Sequence, residues 1–203
     1  MQKTRSKSEE KRGFILSAAT KLFCEQGFST TSMEQIAKEA GVSKQTVYSH
    51  FGSKDELFTA SISNECVSYQ MVDLVSGRLD DPKHALTIIA TNFIKMLTPE
   101  KAIAMHRTCV AESLTYPHVS RLFFAAGPQN MITELETVLT QFNDKGLLTL
   151  ENTRMAAIQF LCLVKGEICM QIEYSVEKTQ TESEIKAYLD SSVAMFLRGY
   201  SAH

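Results

Sequence analysis

The chain has 203 residues, 44% hydrophobic and 22% charged, a balance that suits one domain or a small module on a larger one and excludes bulk disorder, a collagen-like repeat or a coiled-coil rod. A net charge of −2 excludes a polycation, yet residues 1–60 hold nine Lys/Arg against seven Asp/Glu (+2), and the remainder 12 against 16 (−4). That asymmetry puts any nucleic-acid face in the N-terminal part.

Helical periodicity dominates from the start. Phe14, Ile15, Ala18, Leu22 and Phe23 follow i, i+3/i+4 spacing, and Gly27 is a natural stop. Thr31-Ser-Met-Glu34 has capping-box spacing and predicts a short helix to Ala40. Gly41-Val42 makes a tight turn, Ser43 caps a third helix to about Phe51, and Gly52 ends it. Ser53-Lys-Asp-Glu56 is a further capping box, opening a helix through Leu57, Phe58, Ile62, Cys66 and Tyr69. Asp81-Pro82 and Pro99 start the next two. A helix from Pro117 is interrupted near Gly127-Pro128, where proline removes a backbone donor, and runs on to Asn143. Two last helices span about 152–176 and 181–200, the latter opened by the capping box Thr181-Glu-Ser-Glu184. The expected fold class is all-α with about nine helices: a three-helix helix-turn-helix domain over 1–53 and a larger helical domain over 54–203.

The opening segment is polar, so it is not read as a secretory signal. The longest apolar stretch, residues 155–164, is interrupted by Gln159 and falls short of the ~18 residues a membrane span needs. A cytoplasmic protein with no membrane partner is expected. Five scattered cysteines (Cys24, Cys66, Cys109, Cys162, Cys169) form no CxxC, which argues against a disulfide framework or zinc ribbon. Cys162 and Cys169 lie seven apart on one helical face, where a redox or metal sensor is conceivable, and buried free thiols are the favoured reading.

Two short helices joined by a glycine turn form a helix-turn-helix, whose second helix enters the DNA major groove. Val47 and Phe51 keep the apolar i, i+4 contact inward, leaving Ser43, Lys44, Gln45, Thr46, Tyr48 and His50 for DNA. Lys44 neutralises a phosphate; Gln45 offers an amide to an adenine edge; Thr46 touches a base edge or thymine methyl. Tyr48 and His50 suit the sugar-phosphate backbone, Lys54 a further phosphate, and Thr31 completes the candidate set. The basic arm (Lys3, Arg5, Lys7, Lys11, Arg12) is a solvated terminus or an additional grip on DNA.

These residues carry a resemblance. Residues 28–58, with Gly-Val-Ser-Lys-x-Thr-Val-Tyr-x-His-Phe from Gly41 and Ser-Lys-Asp-Glu-Leu from Ser53, resemble the DNA-binding domain of the TetR family of tetracycline-repressor-like transcriptional regulators. With the first helix the match covers about 9–60. Gln45 stands where many members carry glycine, a difference that concerns which bases are read. The segments from Phe124 (Phe-Ala-Ala-Gly-Pro-Gln) and Gln159 (Gln-Phe-Leu-Cys-Leu-Val-Lys-Gly-Glu) are similar to the AefR-like subset of C-terminal regulatory domains.

The last two helices are apolar on more than one side, so they need cover from their own core and from a partner. The resemblance implies a homodimer built by these helices in a four-helix interface, and Leu161, Ile168, Ile172, Leu189, Val193 and Phe196 are the expected contacts. A dimer places two recognition helices ~34–36 Å apart on a palindromic operator. The middle helices are candidates to enclose a small hydrophobic or amphipathic effector, lined by Met71, Phe93, Met96, Met105, Cys109, Phe123, Phe124 and Phe160, with His106, Glu112 and Glu167 as polar contacts. For each of these, ordinary core is the competing reading. His106, Cys109 and Glu112 share one helical face without making a metal site the expectation, and no cofactor is expected. No nucleophile elbow, phosphate-cradling loop, Gly-x-Gly-x-x-Gly or metal-protease motif is present, so no enzymatic activity is expected. The leading reading is a ligand-responsive regulator, a repressor released by its effector. The alternatives are a partner-dependent DNA-binding module whose C-terminal half only dimerises, and a helical enzyme with an incidental helix-turn-helix.

Overall fold

In the computed structural model, residues 7–67, 80–176 and 179–201 are described. The helices are α1 (Lys7–Gln26), α2 (Met33–Glu39), α3 (Lys44–Phe51), α4 (Lys54–Val67), α5 (Pro82–Leu97), α6 (Glu100–Glu112), α7 (Pro117–Phe124), α8 (Asn130–Asp144), α9 (Thr153–Glu173) and α10 (Glu182–Tyr200). A π-helical turn, Ala125–Gln129, joins α7 to α8 and contains Pro128, so the interruption expected there is a π-turn within one continuous helical run. With α7 and α8 taken together, the described residues hold nine helices. Their one strand-like feature is an isolated bridge between Leu148 and Ser201. The fold is all-α.

The predicted punctuation is present at most ends. Ser43 Oγ accepts from Thr46 N, Asp81 from His84 N, and Thr181 with Glu184 closes a reciprocal capping box; Asn152, not singled out as a cap in the sequence, accepts from Met155 N. The start of α2 differs by one residue. Its N-cap is Ser32, whose box partner is Gln35. Thr31-to-Glu34 and Ser32-to-Gln35 have the same spacing, and burial decides between them: Thr31 is 1% exposed and its hydroxyl donates to the Gly27 carbonyl.

The chain divides into two compact units, residues 1–66 with 100–127, and 67–99 with 128–203. This packing does not follow the expected boundary at 53/54, because α4, α6 and α7 share a core with the first three helices. That core joins Ile15, Ala19, Ile36, Val47 and Leu57 to Met105, Cys109, Val119 and Ala126. At its centre Phe58 sets its edge against Phe23 and Phe28, each at 5.1 Å between ring centroids.

In the second unit α9 packs against α5, α8 and α10, and α10 also packs against α5. Phe160 is fully buried, 5.0 Å from Phe196, which in turn meets Tyr200 at 4.9 Å. By length and composition α9 is apolar enough to cross a membrane, a correction to the expectation that no stretch qualifies; here Ala156, Ala157, Phe160, Leu161, Val164 and Ile168 bury it among other helices. At Gly166 a side chain makes a close approach. Gly166 breaks the helix at φ 50° and ψ −158°, Tyr188 covers it, and the Tyr188 hydroxyl donates to the Leu163 carbonyl at 2.6 Å.

Candidate nucleic-acid interface

The helix-turn-helix is assembled from short, capped pieces. Gly41, at φ +66°, makes the turn after α2, where a side chain would be strained. Ser43 then caps α3, and Val47 and Phe51 anchor that helix in the core at 0% and 5% exposure. With one face so fixed, Lys44, Gln45, Tyr48 and Ser49 are exposed, and Thr46 and His50 are half-buried. The Ser43 and Thr46 hydroxyls lie 2.8 Å apart. Arg12 of α1 stacks over the Phe51 ring at 4.9 Å, which brings one residue of the basic arm beside the end of α3. Lys3 and Arg5 lie outside the described residues.

Lys44 is not idle. Its ammonium donates to a Glu34 carboxylate oxygen and stands 5.8 Å from the Tyr48 ring centroid. The hydrogen bond from Lys44 holds the Glu34 carboxyl below its ordinary value, and the same bond lifts the Lys44 ammonium above its own. No spacing in the sequence announces Glu34, because its partner lies ten positions away across the turn.

Two of the expected DNA contacts are engaged with the head's own backbone. Thr31 is buried, its hydroxyl donating to Gly27 O at 2.6 Å and accepting from Gln26 Nε2 at 3.2 Å. Lys54 donates to the carbonyls of Phe28 at 2.8 Å and Thr31 at 2.9 Å, with its ammonium 4.3 Å from the Phe28 ring centroid. Burial pushes the Lys54 ammonium below the ordinary lysine value, while the carboxylates of Asp55 and Glu112 pull it back. Two of its three donors go to the loop between α1 and α2.

Glu112 holds the same loop from the other side. Its carboxylate accepts from Phe28 N at 3.2 Å, Ser29 N at 3.1 Å and the Ser29 hydroxyl. Gly27, at φ +89°, is required there: a Cβ would fall 2.8 Å from Glu112 Oε1. An anion from α6 thus takes the N–H side of residues 28–29, and a cation from α4 takes carbonyls of residues 28 and 31. Glu112, expected in an effector site, is here a fastening for the head.

The other effector candidates are dispersed. Met105 and Cys109 are core of the first unit, where His106 and Phe123 face each other at 6.1 Å between ring centroids. Phe93, Met96 and Phe160 are core of the second. Phe124 is exposed, as is Glu167, which accepts from Gln171; Met71 lies outside the described residues. Among the described residues no group of three His, Cys, Asp or Glu side chains is placed to hold a metal ion.

The expected dimer contacts are also corrected. Leu161, Ile168, Leu189, Val193 and Phe196 are buried in the chain's own core, and Ile172 is half-buried. The apolar residues of these helices that face outward are Met155, Ile158 and Met170 on α9 and Tyr188 and Met195 on α10, beside an exposed Cys162. Helical periodicity finds two apolar faces on such helices and does not say which one turns inward.

Comparison with known proteins agrees with this architecture. Residues 15–60 match the profile of bacterial regulatory proteins of the tetR family, and residues 84–202 match the AefR-like transcriptional repressor C-terminal domain. The HTH-type transcriptional regulator HbdR of Aromatoleum sp. (strain CIB) is 48% identical over 62 residues, 30% of this chain and 27% of that protein. The chain therefore matches about a quarter of the length of that curated relative, through the head alone. Among solved structures, the flavonoid-responsive regulator FrrA is 34% identical with a TM-score of 0.74, covering 95% of this chain and 98% of that one. A structure described as a TetR-family regulator from Mesorhizobium loti has a TM-score of 0.79 at 25% identity, covering 97% and 100%. With both halves matched, the chain belongs to the TetR family of helix-turn-helix transcriptional regulators, and its C-terminal domain is of the AefR-like type.

Proposed function

We propose that this regulator is a cytoplasmic homodimer that represses by binding a palindromic operator and lets go when a small hydrophobic or amphipathic effector binds. One observation carries the DNA reading: α3 is capped by Ser43 and pinned through Val47 and Phe51 while Lys44, Gln45 and Tyr48 stay exposed. Lys44 neutralises a phosphate, the Gln45 amide pairs with a base edge, and Tyr48, Thr46 and His50 support the backbone contact. Residues 1–53 carry the reading function, and 54–203 the regulatory and dimerising one. No catalytic role is assigned.

The dimer is assigned to the outward apolar face of α9 and α10, around Met155, Ile158, Met170, Tyr188 and Met195. Exposed apolar residues concentrated on two adjoining helices favour association. An amphipathic aromatic effector is favoured by the resemblance to FrrA, whose name describes it as flavonoid-responsive. An effector acts only by binding the two states differently, and a tenfold loss of operator affinity corresponds to ~1.4 kcal/mol of coupling.

Fluorescence anisotropy on a duplex selected from random sequence tests the reading. Parental protein binds with a log K that falls by about 0.9 per phosphate contact against log salt, and Lys44→Ala/Gln45→Ala/Tyr48→Ala abolishes specific binding. A flat salt plot, or undiminished binding by the triple variant, refutes the DNA face. A flavonoid panel that leaves operator affinity unchanged at saturation refutes that effector class. A Met170→Glu/Met195→Glu protein that remains dimeric in sedimentation refutes the assigned face.

A further inference from the structure

Lys44 is the first residue of α3 and Glu34 the second of α2, and their side chains pair across the turn between the two helices. The pair is at the surface, with side-chain exposures of 51% and 60%. It is not needed to build the module. The Ser32–Gln35 box caps α2 and Ser43 caps α3, while Ile36, Ala37, Val47 and Phe51 supply the buried contacts. Exposed ion pairs add little stability. What the Glu34 carboxylate does offer is an anionic oxygen acceptor at the lysine placed to meet DNA, the same chemistry a phosphate offers.

We infer that Glu34 is an internal competitor for Lys44, a phosphate mimic that holds down sequence-independent DNA binding. This rests on the DNA-interface reading above. Docking on any duplex exchanges one partner for another: the Lys44–Glu34 contact breaks and a Lys44–phosphate contact forms. Non-specific binding consists of phosphate contacts, so it bears the full effect of this exchange. A specific complex adds base contacts from Gln45 that the exchange does not touch. Glu34 thereby sets how much of the Lys44 charge is available to arbitrary sequence.

The experiment is anisotropy of the full chain on a random-sequence duplex at several salt concentrations, with Glu34→Gln, Lys44→Ala and the double variant. Glu34→Gln is expected to bind about two- to fivefold tighter at low salt, the range an exposed pair supports. The gain fades as salt rises and the screening length falls toward ~8 Å near 0.15 M. Lys44→Ala weakens binding and takes about 0.9 off the salt slope, and the double variant matches Lys44→Ala. Unchanged or weaker binding by Glu34→Gln overturns the proposal. So does a Glu34→Gln gain that survives in the Lys44→Ala background, since the carboxylate then acts on the duplex without the lysine. Undiminished binding by Lys44→Ala overturns the DNA interface itself, a failure distinguishable from the other two. Glu34→Ala is the second charge-removing variant, with circular dichroism melts confirming that each protein is folded; disagreement between the two variants in the sign of the change also overturns the proposal.

Discussion

Replacing Glu112 by alanine tests how the head is fastened. The carboxylate receives two backbone N–H groups, Phe28 at 3.2 Å and Ser29 at 3.1 Å, and the Ser29 hydroxyl. A hydrogen bond to a charged group contributes about 1.5–3 kcal/mol when solvent is excluded. These groups are part-buried, so water takes over some of the loss, and a total near 2 kcal/mol is the reasonable figure. For a chain of this size each kcal/mol moves the melting temperature by roughly 2–4 °C, giving an expected drop of about 4–8 °C. Glu112→Gln keeps one acceptor oxygen and is expected to recover part of it. Because Lys54 holds carbonyls of the same loop at 2.8 and 2.9 Å, Glu112→Ala and Lys54→Met are expected to be non-additive in a double-mutant cycle. Differential scanning calorimetry with urea titration reads all four proteins. A Glu112→Ala protein that melts within about 1 °C of the parent refutes the reasoning, and would mean the aromatic packing of Phe23, Phe28 and Phe58 alone sets the loop.

Three further outcomes follow from local geometry. Gly166→Ala places a Cβ 2.5 Å from Tyr188 Cε1 at a φ of +50°, and a loss of about 2 kcal/mol or more in denaturant titration is expected; parental stability would remove the kink. Ser43→Ala deletes the acceptor for Thr46 N at 3.1 Å and is expected to cost about 1 kcal/mol of stability and to weaken DNA binding, whereas unchanged values in both assays would deny the cap a role. Burial pushes the Cys24 thiol up to about 11 and the Cys109 thiol up to about 12, from 9.0. Their folded values are raised, so their contribution to stability is complete below pH 9 and is lost as pH climbs through 11 and 12. Urea midpoints are expected to fall from pH 9 upward, less so in Cys109→Ala; midpoints flat to pH 11 would contradict the burial.

Helix boundaries, the all-α class and the reading head were legible in the chain, because capping residues, glycines with positive φ and apolar periodicity act within a few neighbouring positions. Ser43, Gly52, Asp81 and Thr181 do locally what their spacing predicts. The Val47/Phe51 anchor likewise leaves Lys44, Gln45 and Tyr48 outward by helical geometry alone. Tertiary structure decided what lies across gaps in sequence. Lys54 donates to the 28–31 loop, Glu112 reaches back 84 and 83 positions to Phe28 and Ser29, and Glu34 meets Lys44. It also chose which face of α9 and α10 is buried, and that face holds most of the residues expected at an interface. Local rules fix how each helix begins, ends and presents its two faces; only the packing of one element on another settles which charge finds which partner and which apolar stripe meets the core.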